Sequence, residues 1–320
     1  MKRFILSLSG GIVLIVCSSW GFFAHKRINR VAVFTLPKAM AGFYKANIDF
    51  ITEHAVDPDK KRYVDSTEGP RHFFDADHYG KKPFDRMPQR WAEAERQYSA
   101  DSIDKYGTVP WTIQHYYYKL VRAFKTRDTI AILRTSANLG HYIADAHVPL
   151  HMTENYNGQL SNQTGIHALW ETRIPELFGD SYHYNVGRAH YVQSPLKEAW
   201  RISRRTFRCV DSVLIFERKL SAAFPADKKY QMVKRNGKSY KDYSVEYSAA
   251  YQKALHGMIE RQMRAAILEI GCFWFSAWVD AGQPDLNTLI DKTNSPASTM
   301  QADNEQLLYK QGKVIPRPIK

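Results

Sequence analysis

The sequence predicts an all-α protein, one multi-helix domain interrupted by long irregular loops. Three observations carry this expectation. Apolar residues recur at helical spacing along most of the chain, on one face at a time. No convincing run of alternating strand-type residues and no internal repeat interrupts them. The 320 residues are 44% hydrophobic and 13% aromatic, enough to close a substantial core.

The elements follow in order. Lys2 and Arg3 open the chain, Phe4 to Val16 form a short apolar stretch, and Cys17, Ser18 and Ser19 supply small residues. This is the layout of a secretory signal peptide over 1–19, too short for a comfortable membrane span. Cleavage before Trp20 is expected, with lipid attachment at Cys17 as the alternative. An amphipathic segment then runs to Leu36, where Pro37 interrupts it. A second carries Met40, Phe43, Tyr44, Ile48 and Ile51 to about His54. Residues 56–90 lose periodicity and collect prolines and glycines, a long connection of the kind that is usually functional or disordered. Helical patterning returns over Arg90 to Tyr98, Pro110 to Phe124 and Asp128 to Ala146, which Pro149 ends. A loop with Asn157, Gly158 and Gly165 leads to a short helix from His167 to Arg173. Two long patterns follow, Pro195 to Phe216 and Val245 to Val279, with Trp200, Met263, Ile267 and Trp274 read as core. Between them, 226–243 reads as a polar, Lys-rich solvated loop. The domain is expected to span 20–293, and 294–320 to be a flexible polar tail.

The formal net charge is +13. Loss of the leader leaves 43 basic residues against 32 acidic ones, a net +11. Such a surface attracts polyanions, nucleic acid and phospholipid alike, without choosing among them. The chain beyond the leader keeps Cys209 and Cys272, too few for a disulfide scaffold and not in a metal-ligand spacing. A metal site here has to be built from His, Asp and Glu.

The most specific signal is His141-Tyr-Ile-Ala-Asp145-Ala-His-Val-Pro-Leu-His151. Four residues apart on a helix, His141 and Asp145 share a face, and Pro149 turns His151 back toward it. His167 and Glu171 repeat the same spacing. A single pair of this kind is commonly a surface ion pair, but two pairs with His151 between them point to more than one metal. Upstream, Asp57 and His72 lie in the irregular segment, and Trp20-Gly-Phe-Phe-Ala-His25 stands at the expected cleavage point. A freed α-amino group with its own carbonyl is a chelating pair, and His25 is close enough to join it.

This set resembles the superfamily that unites bacterial zinc-dependent phospholipase C with the single-strand-specific zinc nucleases. That family places, in order, residues that match Trp20, His25, Asp57, His72, His141, Asp145, His151, His167 and Glu171, spanning about half of the chain. The resemblance implies a helical domain around three zinc ions. Asp57, His72, His141 and Asp145 would hold one ion, the Trp20 terminus, His25 and Asp145 a second, and His151, His167 and Glu171 the third. It implies phosphodiester hydrolysis with a zinc-bridging hydroxide as nucleophile, and Asp57 orienting or deprotonating the water. Lys60 falls where the nuclease branch carries an Arg that contacts the phosphate, and Phe73 and Asp75 fall where that branch stacks on and hydrogen-bonds a base. The family pattern gives His147 no ligand role, and it is expected, like His54, His78 and His115, to be structural or to support the ligands from behind.

The expected function is therefore an exported, zinc-dependent phosphodiesterase, periplasmic or extracellular, with no protein partner implied. Glu171, the short interval from His151 to His167 and the lack of matched disulfides favour a phospholipase C-like substrate and peripheral membrane contact. Phe73, Asp75 and Lys60 favour the alternative, a single-strand-specific nuclease or 3′-nucleotidase. A third reading, from another class, is a non-catalytic zinc-binding envelope protein.

Overall fold

A computed structural model describes residues 21–235, 237–290 and 296–313. Residues 1–19, expected to be a leader, and Trp20 lie outside the described residues. The fold is mostly helical, as the periodicity predicts. Its centre is formed by the helices Phe22–Ala32, Val109–Thr126, Thr129–Asp145 and Met258–Asp280, which pack against one another. Among the described residues no helix is long and apolar enough to cross a membrane.

Local chemistry sets the boundaries. The Asp128 side chain accepts a hydrogen bond from the Ala131 amide and caps the Thr129–Asp145 helix, satisfying a donor that the first turn leaves open. Ser244 does the same for Val245–Ala254 through the Tyr247 amide. The expected single pattern over Val245 to Val279 is two helices, because Gly257 turns the chain at φ 75° before Met258–Asp280 begins. Likewise the pattern from Pro195 divides into Pro195–Phe207 and Val210–Ala223.

The residues read as core are buried, among them Trp200, Met263, Ile267 and Trp274. The Trp274 ring stacks on Tyr44 at 5.0 Å. Its indole N–H donates to the Ser136 carbonyl, while the Tyr44 hydroxyl meets Ser136 Oγ at 2.8 Å. The polar tips of these two rings therefore keep partners while the rings fill volume. Cys209 and Cys272 are free thiols.

Two sequence expectations are corrected. Residues 230–243, read as a solvated loop, form an antiparallel hairpin of Tyr230–Arg235 and Lys238–Tyr243. Within the expected flexible tail, Pro296–Lys310 is a helix. Ala302 and Glu305 are buried, and the Tyr309 hydroxyl donates to the Gly187 carbonyl. The polar composition that suggested disorder hides one anchoring side, where Glu305 accepts two hydrogen bonds from Arg30 at 2.8 and 2.9 Å.

Behind the central helices, Arg201 reaches both Glu198 and Glu269. Burial, reinforced by Glu198 and opposed by Arg201, pushes the Glu269 carboxyl up to about 7. A carboxyl whose folded pKa is raised binds protons better in the folded state. Its contribution to stability is therefore lost as pH rises from about 4.5 to 7. Glu269→Gln is expected to gain stability relative to the parent between pH 5 and pH 8, on the order of 1–3 kcal/mol. Thermal unfolding at both pH values checks this, and an equal gap at each would contradict it.

Candidate metal centre

The irregular segment 56–90 is held against the helices by backbone pairing. The Thr108 amide donates to the Pro70 carbonyl, the Val109 amide to Phe73, and the Phe74 amide to His151. Gly107, at φ 91°, passes so close to Phe73 that a Cβ would lie 2.2 Å from its carbonyl oxygen. Only glycine fits there. These constraints put His72, at the end of the turn Gly69–His72, opposite the C-terminal half of Thr129–Asp145.

Three buried groups of donors result: His25, His141 and Asp145; Asp59, His72 and His141; and His151, His167 and Glu171. Within each group, one ligand atom per residue lies within 4.8 Å of the others. Asp145, fully buried, is the hub. Its Oδ2 lies 2.9 Å from His72 Nδ1 and 3.2 Å from His141 Nε2, and its Oδ1 lies 3.4 Å from His25 Nε2. The Asp59 Oδ1 lies 3.8 Å from both His72 Nδ1 and His141 Nε2. In the third group, Glu171 Oε1 is 3.0 Å from His167 Nε2, and Oε2 is 3.4 Å from His151 Nε2. The Glu171 side chain stands in a π-helical turn, Leu169–Arg173, that directly continues the Ile166–Ala168 turn bearing His167.

The outer ring nitrogens are committed elsewhere. The Nδ1 of His141 faces the Ala55 carbonyl at 2.9 Å, that of His151 the His72 carbonyl at 2.8 Å, and that of His167 the Tyr156 carbonyl at 3.0 Å. Each carbonyl accepts a hydrogen bond from Nδ1–H, which leaves the Nε2 lone pair directed into the site. The cluster thus gathers lone pairs and carboxylates that only protons or cations can reconcile. Tetrahedral zinc with bonds of about 2.0–2.1 Å holds its donors roughly 3.3–3.4 Å apart, close to the separations observed. The residues fit a divalent ion in each group.

The electrostatics express the same crowding. Burial, with His141 adding, lowers His25 to about 4, and burial lowers His72 to about 4. Burial acts against the charged form of His141, but Asp145 and Asp59 outweigh it and carry it up to about 9. Burial acts against the Asp145 carboxylate too, yet His141 and His151 hold it well below the usual range. Burial raises Asp59 to about 7.

The sequence-derived sites divide. His25, His72, His141, Asp145, His151, His167 and Glu171 come together. Asp57 does not: its carboxylate contacts His54 and, at 3.3 Å, Lys60, and it is 40% exposed. In the helix Asp57–Lys61, residues two apart point to nearly opposite sides. Asp59, only 4% exposed, therefore faces the cluster in place of Asp57. This removes the ground for Asp57 as a ligand or as the group handling the attacking water. Lys60 is 55% exposed and spent on Asp57. Asp75 is set by its amide on the Tyr106 carbonyl. Burial, Asp77 and Glu154 push its carboxyl up to about 7, and nearby His151 opposes them. Phe73 is half-buried, at the edge of the same segment. Trp20, expected to be the terminus, lies outside the described residues, although its neighbour Gly21 packs against Thr172.

Sequence reasoning missed Glu68 as well as Asp59. Glu68 is fully buried, accepts from the Tyr142 hydroxyl and lies 3.7 Å from His72 Nε2. Its spacing of four from His72 was the available signal. His147 has the structural surroundings expected of it: Nδ1 faces the Ile143 carbonyl, and Nε2 accepts from Arg205.

Helix approach also shapes the centre. A Cβ on Gly140 would lie 2.0 Å from Asn29 Oδ1, where the helices bearing His25 and His141 meet and their rings stack at 3.9 Å. Gly140→Ala is expected to cost about 1–3 kcal/mol through overpacking. It should also weaken metal retention roughly tenfold by displacing ligands. Urea unfolding and metal titration read the two effects, and a variant unchanged in both would contradict this account of the crossing.

No family model matches the chain, and no curated protein matches it either.

Proposed function

We propose that this chain is a zinc-dependent phosphodiester hydrolase, holding three ions and acting on a phospholipase C-like substrate. The observation that carries the reading is the convergence of three buried donor groups on and beside Asp145. Bound divalent ions would supply Lewis acidity toward phosphoryl oxygens and bring the pKa of water into the neutral range. The protein's own part is positional. Asp145 would be shared between two ions, Asp59 with His72 and His141 would complete one of them, and the Trp20 terminus would add to His25. The backbone carbonyls of Ala55, His72 and Tyr156 fix the ring tautomers, and burial keeps bulk water from the ligands.

The retained positive charge of three ions against three carboxylates favours a phosphate group. A second reading, single-strand-specific nuclease, draws support from Phe73 beside Asp75. A half-buried ring can stack on a base, and a carboxyl near neutral pKa can hydrogen-bond its edge.

The test is hydrolysis of phosphatidylcholine vesicles and single-stranded DNA, side by side, by zinc-loaded protein beginning at Trp20. EDTA-treated protein and His141→Ala are the controls. Zinc-dependent cleavage of the lipid supports the leading reading, and cleavage of DNA alone supports the second. Metal binding without turnover of either would overturn both in favour of a non-catalytic zinc-binding protein.

A further inference from the structure

The Tyr230–Tyr243 hairpin has surface chemistry that the metal centre does not use. Between 228 and 241 the sequence carries Lys228, Lys229, Lys234, Arg235, Lys238 and Lys241 and no acidic residue. Apolar side chains are interleaved with them: Met232 is 67% exposed and Tyr240 49%. Val245, just beyond the hairpin, is 42% exposed. By strand alternation and register, Met232 shares a face with Lys234 and Lys241. Met232 therefore stands among the cations rather than behind them, while Tyr240, opposite Val233, lies on the other face.

The base of the hairpin is fixed to the centre. Tyr243 is buried, stacks on Tyr247 and packs so near Gly165 that a Cβ there would lie 3.2 Å from its hydroxyl oxygen. Gly165 begins the segment that bears His167 and Glu171. Asp242 lies 3.6 Å from Arg173 on the same segment, and Lys229 is tied to Glu217. Val233, Tyr240 and Asp242, on the other face, line an open groove of about 380 Å³ with Ala168 and Thr172.

We infer that the hairpin docks the protein on an anionic phospholipid bilayer and holds the third donor group near that surface. Clustered Lys and Arg gain about 1 kcal/mol each near an anionic leaflet, and exposed Met232 and Val245 suit the headgroup boundary. Aliphatic Met232 and Val245 have nothing to stack on a base, which favours lipid over nucleic acid as the partner. The inference deepens the phospholipase-like reading of the centre and rests on it for its purpose, but binding is measured without turnover.

Sucrose-loaded vesicles of equal parts phosphatidylglycerol and phosphatidylcholine are sedimented with zinc-loaded protein. A Met232→Ser/Lys234→Glu variant is compared with Met232→Leu/Lys234→Arg. Zinc content and thermal midpoint confirm that each variant is folded. The first variant is expected to partition at least about tenfold less, the second like the parent, and added salt should weaken parental binding. Equal partition of all three would overturn the inference. So would loss of single-stranded DNA binding with vesicle binding intact. Hydrolysis of soluble bis(p-nitrophenyl) phosphate by the parent is assayed alongside. If it fails while vesicle binding follows the expected pattern, the reading of the centre falls and the docking surface stands.

Discussion

Asp145→Asn is expected to abolish metal-dependent activity, lowering turnover on the order of 10³-fold or more, beyond the tenfold to hundredfold cost of losing an outer partner of a ligand. The reason is its place in the geometry. One carboxylate lies within 3.4 Å of nitrogens on His25, His72 and His141, so its neutralisation strips charge from two donor groups together. The amide keeps the volume, and its NH₂ would face ring nitrogens that offer lone pairs. The fold is therefore expected to persist while zinc content falls by about two ions in elemental analysis, because Asp145 belongs to one donor group and touches His72 and His141 of a second. A variant that keeps both its zinc and its turnover would contradict Asp145 as the hub.

Arg30→Ala is expected to lower stability strongly. The Arg30 guanidinium, 2% exposed, makes two hydrogen bonds to Glu305, itself 4% exposed, and a third to Asp49. Removing the cation leaves a buried carboxylate without its main partner, a loss of about 3–5 kcal/mol. The C-terminal helix Pro296–Lys310 should then detach before the rest of the protein unfolds, and limited proteolysis should cut it early. Replacing the pair by Arg30→Met with Glu305→Leu should recover most of the loss, because well-packed apolar groups avoid the desolvation penalty. Failure of the single variant to lower the unfolding midpoint would contradict the anchoring role.

What the sequence revealed follows from how far each interaction reaches along the chain. His141 with Asp145, and His167 with Glu171, are four apart on helical turns, so their shared faces could be read directly. Their convergence depends on the irregular segment, where local pattern says little. Asp57 and Asp59 are equally acidic and two residues apart. Only the short turn of helix at Asp57–Lys61 decides that the second faces inward. Glu68 is hidden for the same reason. The C-terminal helix was illegible because its anchor pairs residues 275 apart in sequence, and composition alone suggested a loose tail. The hairpin was legible in principle: Asn236-Gly237 between alternating residues is a two-residue turn signal, outweighed by the density of lysine around it.

The most direct test of the account is the zinc content of protein beginning at Trp20, dialysed to equilibrium with the metal and compared with its Asp57→Ala and Asp59→Ala variants. The expected result is about three zinc ions per chain, one for each donor group, unchanged by Asp57→Ala and reduced by Asp59→Ala. A parent that retains no zinc, or a loss on Asp57→Ala with none on Asp59→Ala, would contradict it.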